Sequence, residues 1–436
     1  MVVVTVGALP AQMVGGLGGE PGWTPNLDGV IAETLGLRAV SASSSPIPSL
    51  ASLMTGVDSW THGLVSHRSD GLRSGVQVLP QMLGGEWVTE IYFPRGSRLQ
   101  EFGLLEGFGR TQAYSGSELP LSRLKALGNN ELVWVHFPAP FFPWKDRGGE
   151  IARLPARTGE LDRIERRWLM PYANPLEAIP SPLLAESKEL YRHEVAWLDE
   201  RLGDVFQALK ANPRWSDLTL LVTALHGNEL GEHGQVFFAQ NLQRTSIEVP
   251  LLIKLGAAVE QRVAKGGGPP STAGIVGTVL EISGTRPPPA LAASFFEKPG
   301  PAMSSLLDHG GVNRLSAVSN SGSETQQVLW MRPYSPVEPE LWAAQAVEAG
   351  LGSFPIRESP GLILRRLQRA FRHTVPTRGD PRSDPEIEFV RWLDDGRVEG
   401  FGEQPVGQWG AEGIIRRWGL FQSTETTPLE ESRSWR

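Results

Sequence analysis

The chain alternates short apolar runs with stretches of amphipathic spacing. Val2-Val3-Val4-Thr5-Val6 is a β-branched run bounded by Gly7, as expected of a central parallel strand. A Gly- and Pro-rich loop follows, and Pro25 then suits the first position of a helix predicted over residues 27–35. Residues 41–48 read as a loop, and residues 49–54 as the first turns of a second helix. The run Leu132-Val133-Trp134-Val135-His136-Phe137 predicts a second buried strand. Residues 181–209 give the clearest helix. Its apolar positions Leu190, Val195, Leu198, Leu202, Val205, Phe206 and Leu209 recur mostly at three- and four-residue spacing, and Pro213 lies just past its end. Residues 218–223 and 250–254 predict two further strands.

Strands alternating with helices imply an α/β fold with a mostly parallel central sheet flanked by helices. Beyond residue 300 the pattern weakens. Residues 327–331 and 361–367 read as strands and 338–349 as a helix, which predicts a smaller C-terminal α+β part. The expected organisation is a core over residues 1–300, an α+β subdomain over 301–422 and a polar, flexible tail over 423–436.

With 436 residues, 40% hydrophobic and 20% charged, the chain is long enough to bury a sizeable core. Net charge is −7 and there is no block of Lys or Arg, which argues against a nucleic-acid partner. The 41 basic residues are dominated by arginine, as GC-rich, bacterial-type coding produces. There is no cysteine, so disulfides, thiolate metal sites and thiol nucleophiles are excluded. No apolar run approaches the ~20 residues of a membrane span. The sequence as written carries no signal-peptide pattern ahead of residue 2, so the expectation is a cytoplasmic protein, with export left open.

The chemistry-bearing segment is Ser45-Pro46-Ile47-Pro48-Ser49-Leu50-Ala51-Ser52-Leu53-Met54-Thr55-Gly56. It resembles the sulfatase nucleophile signature Cys/Ser-x-Pro-x-Arg-x-x-x-x-Thr-Gly, with Pro48, Thr55 and Gly56 in step. Four other segments resemble the same family in the same order. They are Thr24-Pro25-Asn26-Leu27-Asp28, Thr55-Gly56 with His62-Gly63 after it, Glu194 to Asp199 in the long helix, and Thr223-Ala224-Leu225-His226-Gly227-Asn228-Glu229-Leu230-Gly231-Glu232-His233-Gly234 followed by Val249-Pro250-Leu251-Leu252-Ile253. The resemblance covers about residues 1–290 and implies the fold of the alkaline phosphatase/sulfatase superfamily.

What the resemblance implies for the chemistry is a loss. The family binds calcium or magnesium with two aspartates after the first strand, a third in Thr-Ser-Asp and a fourth ligand beside it. The matching positions hold Gly7, Ala8, Leu225 and His226. Pro46 stands where the nucleophile is expected and Leu50 where its activating arginine is expected. Phe141 replaces a histidine, and the run after Gly234 lacks an expected lysine. One imidazole does not satisfy a hard cation, and proline offers no nucleophile. The expected functional reading is a catalytically inactive sulfatase-like protein without a metal or cofactor. It would act as a binding, scaffold or accessory subunit with a protein partner or unidentified ligand.

The competing reading is a sulfuric- or phosphoric-ester hydrolase with a rearranged site, in which Ser45 attacks and His136 and His226 form a remnant anion pocket. Calcium or magnesium would be needed only in that case. Ser45 as a cap of the following helix is the plainer role. A zinc site from His226, His233, Glu229 and Glu232 matches no compact zinc motif. Asp28 suits a helix start, and His62 a loop-structuring role. The 14 tryptophans include Trp392, Trp409, Trp418 and Trp435, which serve either core filling or a partner surface.

Overall fold

The structure is a computed structural model. It describes residues 1–66, 69–115, 118–147, 150–151, 179–232, 236–239, 241–260, 262–264, 268–299, 302–308, 311–321, 324–331, 386–392 and 398–400. Its centre is a seven-stranded sheet. The strands are β1 (Val2–Ala8), β2 (Leu35–Val40), β3 (Val88–Pro94), β4 (Arg110–Tyr114), β5 (Glu131–His136), β6 (Leu220–His226) and, after the two-residue strands β7 (Glu229–Leu230) and β8 (Val236–Phe237), β9 (Glu248–Lys254). The spatial order is β2-β9-β6-β1-β5-β3-β4. Strand β9 alone runs against the others, antiparallel to both β6 and β2. Every residue of β1 and of β6 is buried, which is why both sequences read as continuous apolar runs.

Helix α1 (Pro25–Glu33) and α2 (Pro46–Thr55) follow β1 and β2. The short helices α3 (Ser59–His62), α4 (Leu79–Met82) and α5 (Leu121–Lys125) precede the 30-residue α6 (Ser181–Lys210). Then come α7 (Arg244–Ile247) and α8 (Gly274–Ile282). Helix α6 packs on α1 and α5, and α2 packs on α8 and β6. No described helix is long and apolar enough to cross a membrane.

The first of these contacts is fixed by one carboxylate. Asp199, fully buried on α6, accepts from the backbone N–H of Asn26 at 3.0 Å and of Leu27 at 2.9 Å, and from Asn26 Nδ2 at 2.9 Å. It thus caps α1 from a different helix and satisfies donors that have no partner within α1. Asp199→Ala strands those donors in the interior. Its expected cost is about 3 kcal/mol, combining a lost helix cap and unsatisfied buried groups, measured as a lower urea midpoint with unchanged slope.

Two expectations about local structure change. Leu35 begins β2 and does not end α1, because the chain leaves the helix at Thr34 in an extended conformation. Helix α2 starts at Pro46, earlier than the residues 49–54 expected from the sequence. A proline lacks the N–H that the first helical position would leave unbonded, so Pro46 opens the helix at no cost. Gly56, at φ 75°, closes it with an N–H to Ser52 O at 2.8 Å.

A second sheet, β10 (Ala302–Asp308), β11 (Gly311–Ser321), β12 (Glu324–Met331), β13 (Glu386–Trp392) and β14 (Val398–Gly400), is antiparallel throughout. The strand expected over residues 327–331 is the C-terminal part of β12. The expected helix 338–349, strand 361–367 and tail 423–436 lie outside the described residues. This sheet is tied to the core at the loop before α2 and at the turn before α7. Ser304 Oγ donates to Ser41 O, Ser305 N to Ala42 O at 2.9 Å, and Gln327 Nε2 to Leu242 O at 2.7 Å.

Candidate functional site

The C-terminal ends of β1 and β6 meet the N-terminus of α2, the crevice where open α/β sheets place their ligands. The sheet register sets Ala8 beside His226, and the loop of residues 41–45 crosses above them. That loop is a serine ladder. Ser41 Oγ donates to the carbonyl of Leu225, Ser49 Oγ donates to Ser43 O at 2.6 Å, and Ser45 N donates to Ser43 Oγ at 3.2 Å. The side chains short enough to fit here bond to the backbone, which fixes the entry to α2. Ser45 occupies the N-cap position of α2, yet its hydroxyl makes no capping bond. The expected cap by its side chain is replaced by backbone and Ser43 contacts.

The positions at which the resemblance implies cation ligands are closed in a specific way. Gly7 N donates to Ala139 O at 2.8 Å, and a Cβ built on Gly7 would sit 2.2 Å from Pro138 O. No side chain fits there, because the backbone of the loop after β5 occupies its place. The Ala8 carbonyl is taken by the buried hydroxyl of Tyr191 at 2.6 Å. Leu225 and Leu50 are members of the main apolar core. Pro46 is half-buried at the first position of α2.

His226 is fully buried, and its Nδ1–H donates to Gly227 O at 2.7 Å. That bond leaves Nε2 with its lone pair, and Nε2 has no partner. Burial lowers the pKa of the ring to about 4, only partly offset by the bond to Gly227, so the imidazole is neutral at pH 7. Two phenyl rings lie against it, Phe238 at 4.6 Å and Phe141 at 5.5 Å between centroids, and these two are 5.3 Å from each other. Behind them Phe237 packs on Phe142 at 5.0 Å and on Trp144 at 5.7 Å, and Trp144 on Tyr191 at 5.4 Å.

His136 belongs elsewhere. It stands opposite Thr5, whereas His226 stands opposite Ala8 on the other flank of β1. The two are therefore two strand spacings apart, roughly 10 Å, before the three-residue offset along β1 is added. His136 Nδ1 is 3.0 Å from Thr5 Oγ1, which also accepts from Trp134 Nε1 at 3.0 Å. Its pKa is lowered to about 4 by burial, offset in part by a bond to the Thr5 backbone. The register does not bring His136 and His226 into one pocket.

The other sequence candidates have structural partners. His62 Nδ1 accepts from Leu64 N at 3.0 Å, so its Nε2–H faces Ser52 Oγ at 3.1 Å and holds the turn after α3, with its pKa lowered to about 3 chiefly by burial. Asp28 accepts from Gly16 N at 2.8 Å and Thr24 Oγ1 at 3.0 Å, tying the start of α1 to the glycine loop. Glu229 is fully buried and accepts from Thr245 Oγ1, and from Ser246 Oγ at 2.9 Å. His233, Trp409, Trp418 and Trp435 lie outside the described residues, as does the side chain of Trp392.

Calcium or magnesium fits this donor set poorly. Both take several oxygen ligands, and Gly7, Ala8 and Leu225 carry none on their side chains. Among the described residues, no three His, Asp or Glu side chains converge on one point. The residues that fill the crevice, Phe238 above all, were not singled out from the sequence. The signal was the aromatic pair Phe237-Phe238 in the stretch where a lysine was expected.

No protein-family model matches the chain, and no curated protein matches it in sequence. Solved structures do match its shape. One is a 2-O GAG sulfatase, at 14% identity and a TM-score of 0.56, covering 88% of this chain and 95% of that one. Another is a protein in complex with its substrate D-glucosamine-2-N,6-O-disulfate, at 14% identity and a TM-score of 0.55, covering 86% and 98%. A third is the phosphonate monoester hydrolase of Agrobacterium radiobacter, at 16% identity and a TM-score of 0.53, covering 85% and 94%. The chain therefore shares the fold of these sulfatase and phosphonate monoester hydrolase structures.

Proposed function

We propose that this chain is a catalytically inactive sulfatase-like protein that works by binding, as a scaffold or accessory subunit. The observation that carries this reading is the closure of the crevice at Gly7. A carbonyl oxygen lies where a ligand side chain would begin, and an aromatic stack covers the one imidazole left. Ester cleavage on this scaffold needs charge neutralisation at the leaving oxyanion and an activated attacking group. Gly7, Ala8, Pro46, Leu50 and Leu225 supply neither.

The alternative, an ester hydrolase with a rearranged site, draws support from the unpartnered Nε2 of His226, which is unprotonated and basic in form. It lacks an activating group at Ser45, whose hydroxyl caps nothing. An assay of the purified chain with an aryl sulfate and an aryl phosphate, with calcium, magnesium or EDTA, separates the two. The expected result is no turnover above the uncatalysed rate under any condition. Turnover that EDTA removes refutes the inactive reading.

A further inference from the structure

The cover over His226 is held in an unfavourable backbone conformation. Phe237 has φ 75° and Ala239 φ 59°, so Phe238 is presented between two non-glycine residues in the left-handed region. A bulky aromatic residue rarely adopts that region, and such strain persists only where neighbours enforce it. Here Ala239 N donates to Ser44 O at 2.9 Å, and Phe237 is wedged between Phe142 and Trp144. The outcome is that Phe238 packs, tilted by 44°, against an imidazole whose Nε2 lone pair has no donor. The hydroxyl of Ser44, fully buried beside this segment, is a second polar group without a partner. Buried polar atoms in folded proteins are overwhelmingly bonded, so two orphans at one crevice call for a missing partner. Phe141 and Phe238 remain half-buried, so the cover reaches solvent.

We propose that His226 anchors a binding site for a neutral phenolic compound, which Phe238 covers in this structure and which the ligand's ring displaces. The chemistry of the crevice selects this class. Nε2 is an acceptor only, so the ligand must bring an O–H or N–H donor. The rings packed against the imidazole are both apolar, so an ionised group would lose hydration without a counter-charge. A flat aromatic ring recovers the tilted ring contacts that Phe238 makes with His226 and Phe141, which an aliphatic alcohol does not. This inference rests on the reading of the chain as a binding protein.

The test uses the full chain with nitrogen-15 in its histidines, titrated with phenol and followed at the ring nitrogens. The expected result is a saturable shift of His226 Nε2 with His62 and His136 unmoved. Phe238→Ala should bind phenol about tenfold more tightly if the covered form holds ~90% of the population, because the cover no longer has to be displaced. His226→Phe, which keeps the aromatic stack, should abolish saturable binding. An unmoved Nε2 in both the natural chain and Phe238→Ala overturns the proposal. So does phenol binding that survives His226→Phe. Either failure leaves the inactive reading standing, since that reading falls only to turnover of an ester.

Discussion

Gly7→Asp, the change that restores a carboxylate to the end of β1, is expected to destabilise the protein by about 4 kcal/mol or more, and millimolar calcium is expected not to recover the loss. The first part of the cost is steric. Pro138 O lies 2.2 Å from where the new Cβ must go, so the loop after β5 has to move away from the Gly7 N–Ala139 O bond. Overpacking of this kind costs about 1–3 kcal/mol. The second part is electrostatic, since an unpaired carboxylate beside Leu225 and the main core adds several kcal/mol more or stays protonated. Gly7→Ala isolates the steric part and should fall near the lower figure. Urea unfolding with and without calcium measures all of these. A Gly7→Asp protein as stable as the natural one, gaining stability with calcium, would mean that the loop yields and that the crevice still accepts a cation.

The second large effect is acid sensitivity. His62, His136 and His226 have folded pKa values near 3, 4 and 4, each lowered first of all by burial. In the unfolded chain each titrates near 6.5. Between these values the unfolded chain binds the extra protons, so stability rises with pH there. Their contribution is complete above pH 6.5 and is lost as pH falls toward 4. These three rings contribute about 4 kcal/mol per pH unit to the slope near pH 5, at 1.36 kcal/mol per proton. Unfolding midpoints at pH 7, 6, 5 and 4.5 read this directly. His226→Phe removes one proton from the slope, lowering it by about 1.4 kcal/mol per unit. It should change stability at pH 7 by only about 1 kcal/mol, since it loses the bond to Gly227 but retires the orphaned Nε2. A slope that His226→Phe leaves unchanged would show that this ring is more hydrated than its burial implies.

The sequence revealed the parts of the fold that are buried on both faces. Strands β1, β5 and β6 are nearly continuous apolar runs because both faces are covered, and a run of that length stands out in the sequence. Strand β4, Arg-Thr-Gln-Ala-Tyr, gave no signal, because it is the sheet's edge and four of its five residues are exposed. Strands β2 and β3 were hidden by charges that only the tertiary structure neutralises. Arg38 in β2 pairs with Glu248 at 2.7 Å, and Glu90 in β3 with Arg123 at 3.0 Å and the hydroxyl of Tyr92 at 2.9 Å. A charge inside a strand reads as a loop until its partner is in place.

The site divides in the same way. Missing side chains are visible in a sequence, so Gly7, Ala8, Pro46, Leu50, Leu225 and Phe141 could be read as positions without the expected chemistry. What took their place could not. A carbonyl from residue 138 over Gly7, and a phenyl from residue 238 over His226, depend on chain segments more than 100 residues and 12 residues away. The separation of His136 from His226 likewise follows from strand order, with β1 between β5 and β6. The serine ladder explains why a Ser-rich loop here carries structure. The hydroxyls of Ser49 and Ser41 are committed to the carbonyls of Ser43 and Leu225.

A crystal structure grown in millimolar calcium tests the central claim most directly. The account predicts no ion among Gly7, Pro46, Leu225 and His226, with the Pro138 carbonyl against Gly7 and Phe141 and Phe238 against the imidazole. A calcium ion held there by carboxylate oxygens, within reach of a serine hydroxyl, would contradict it.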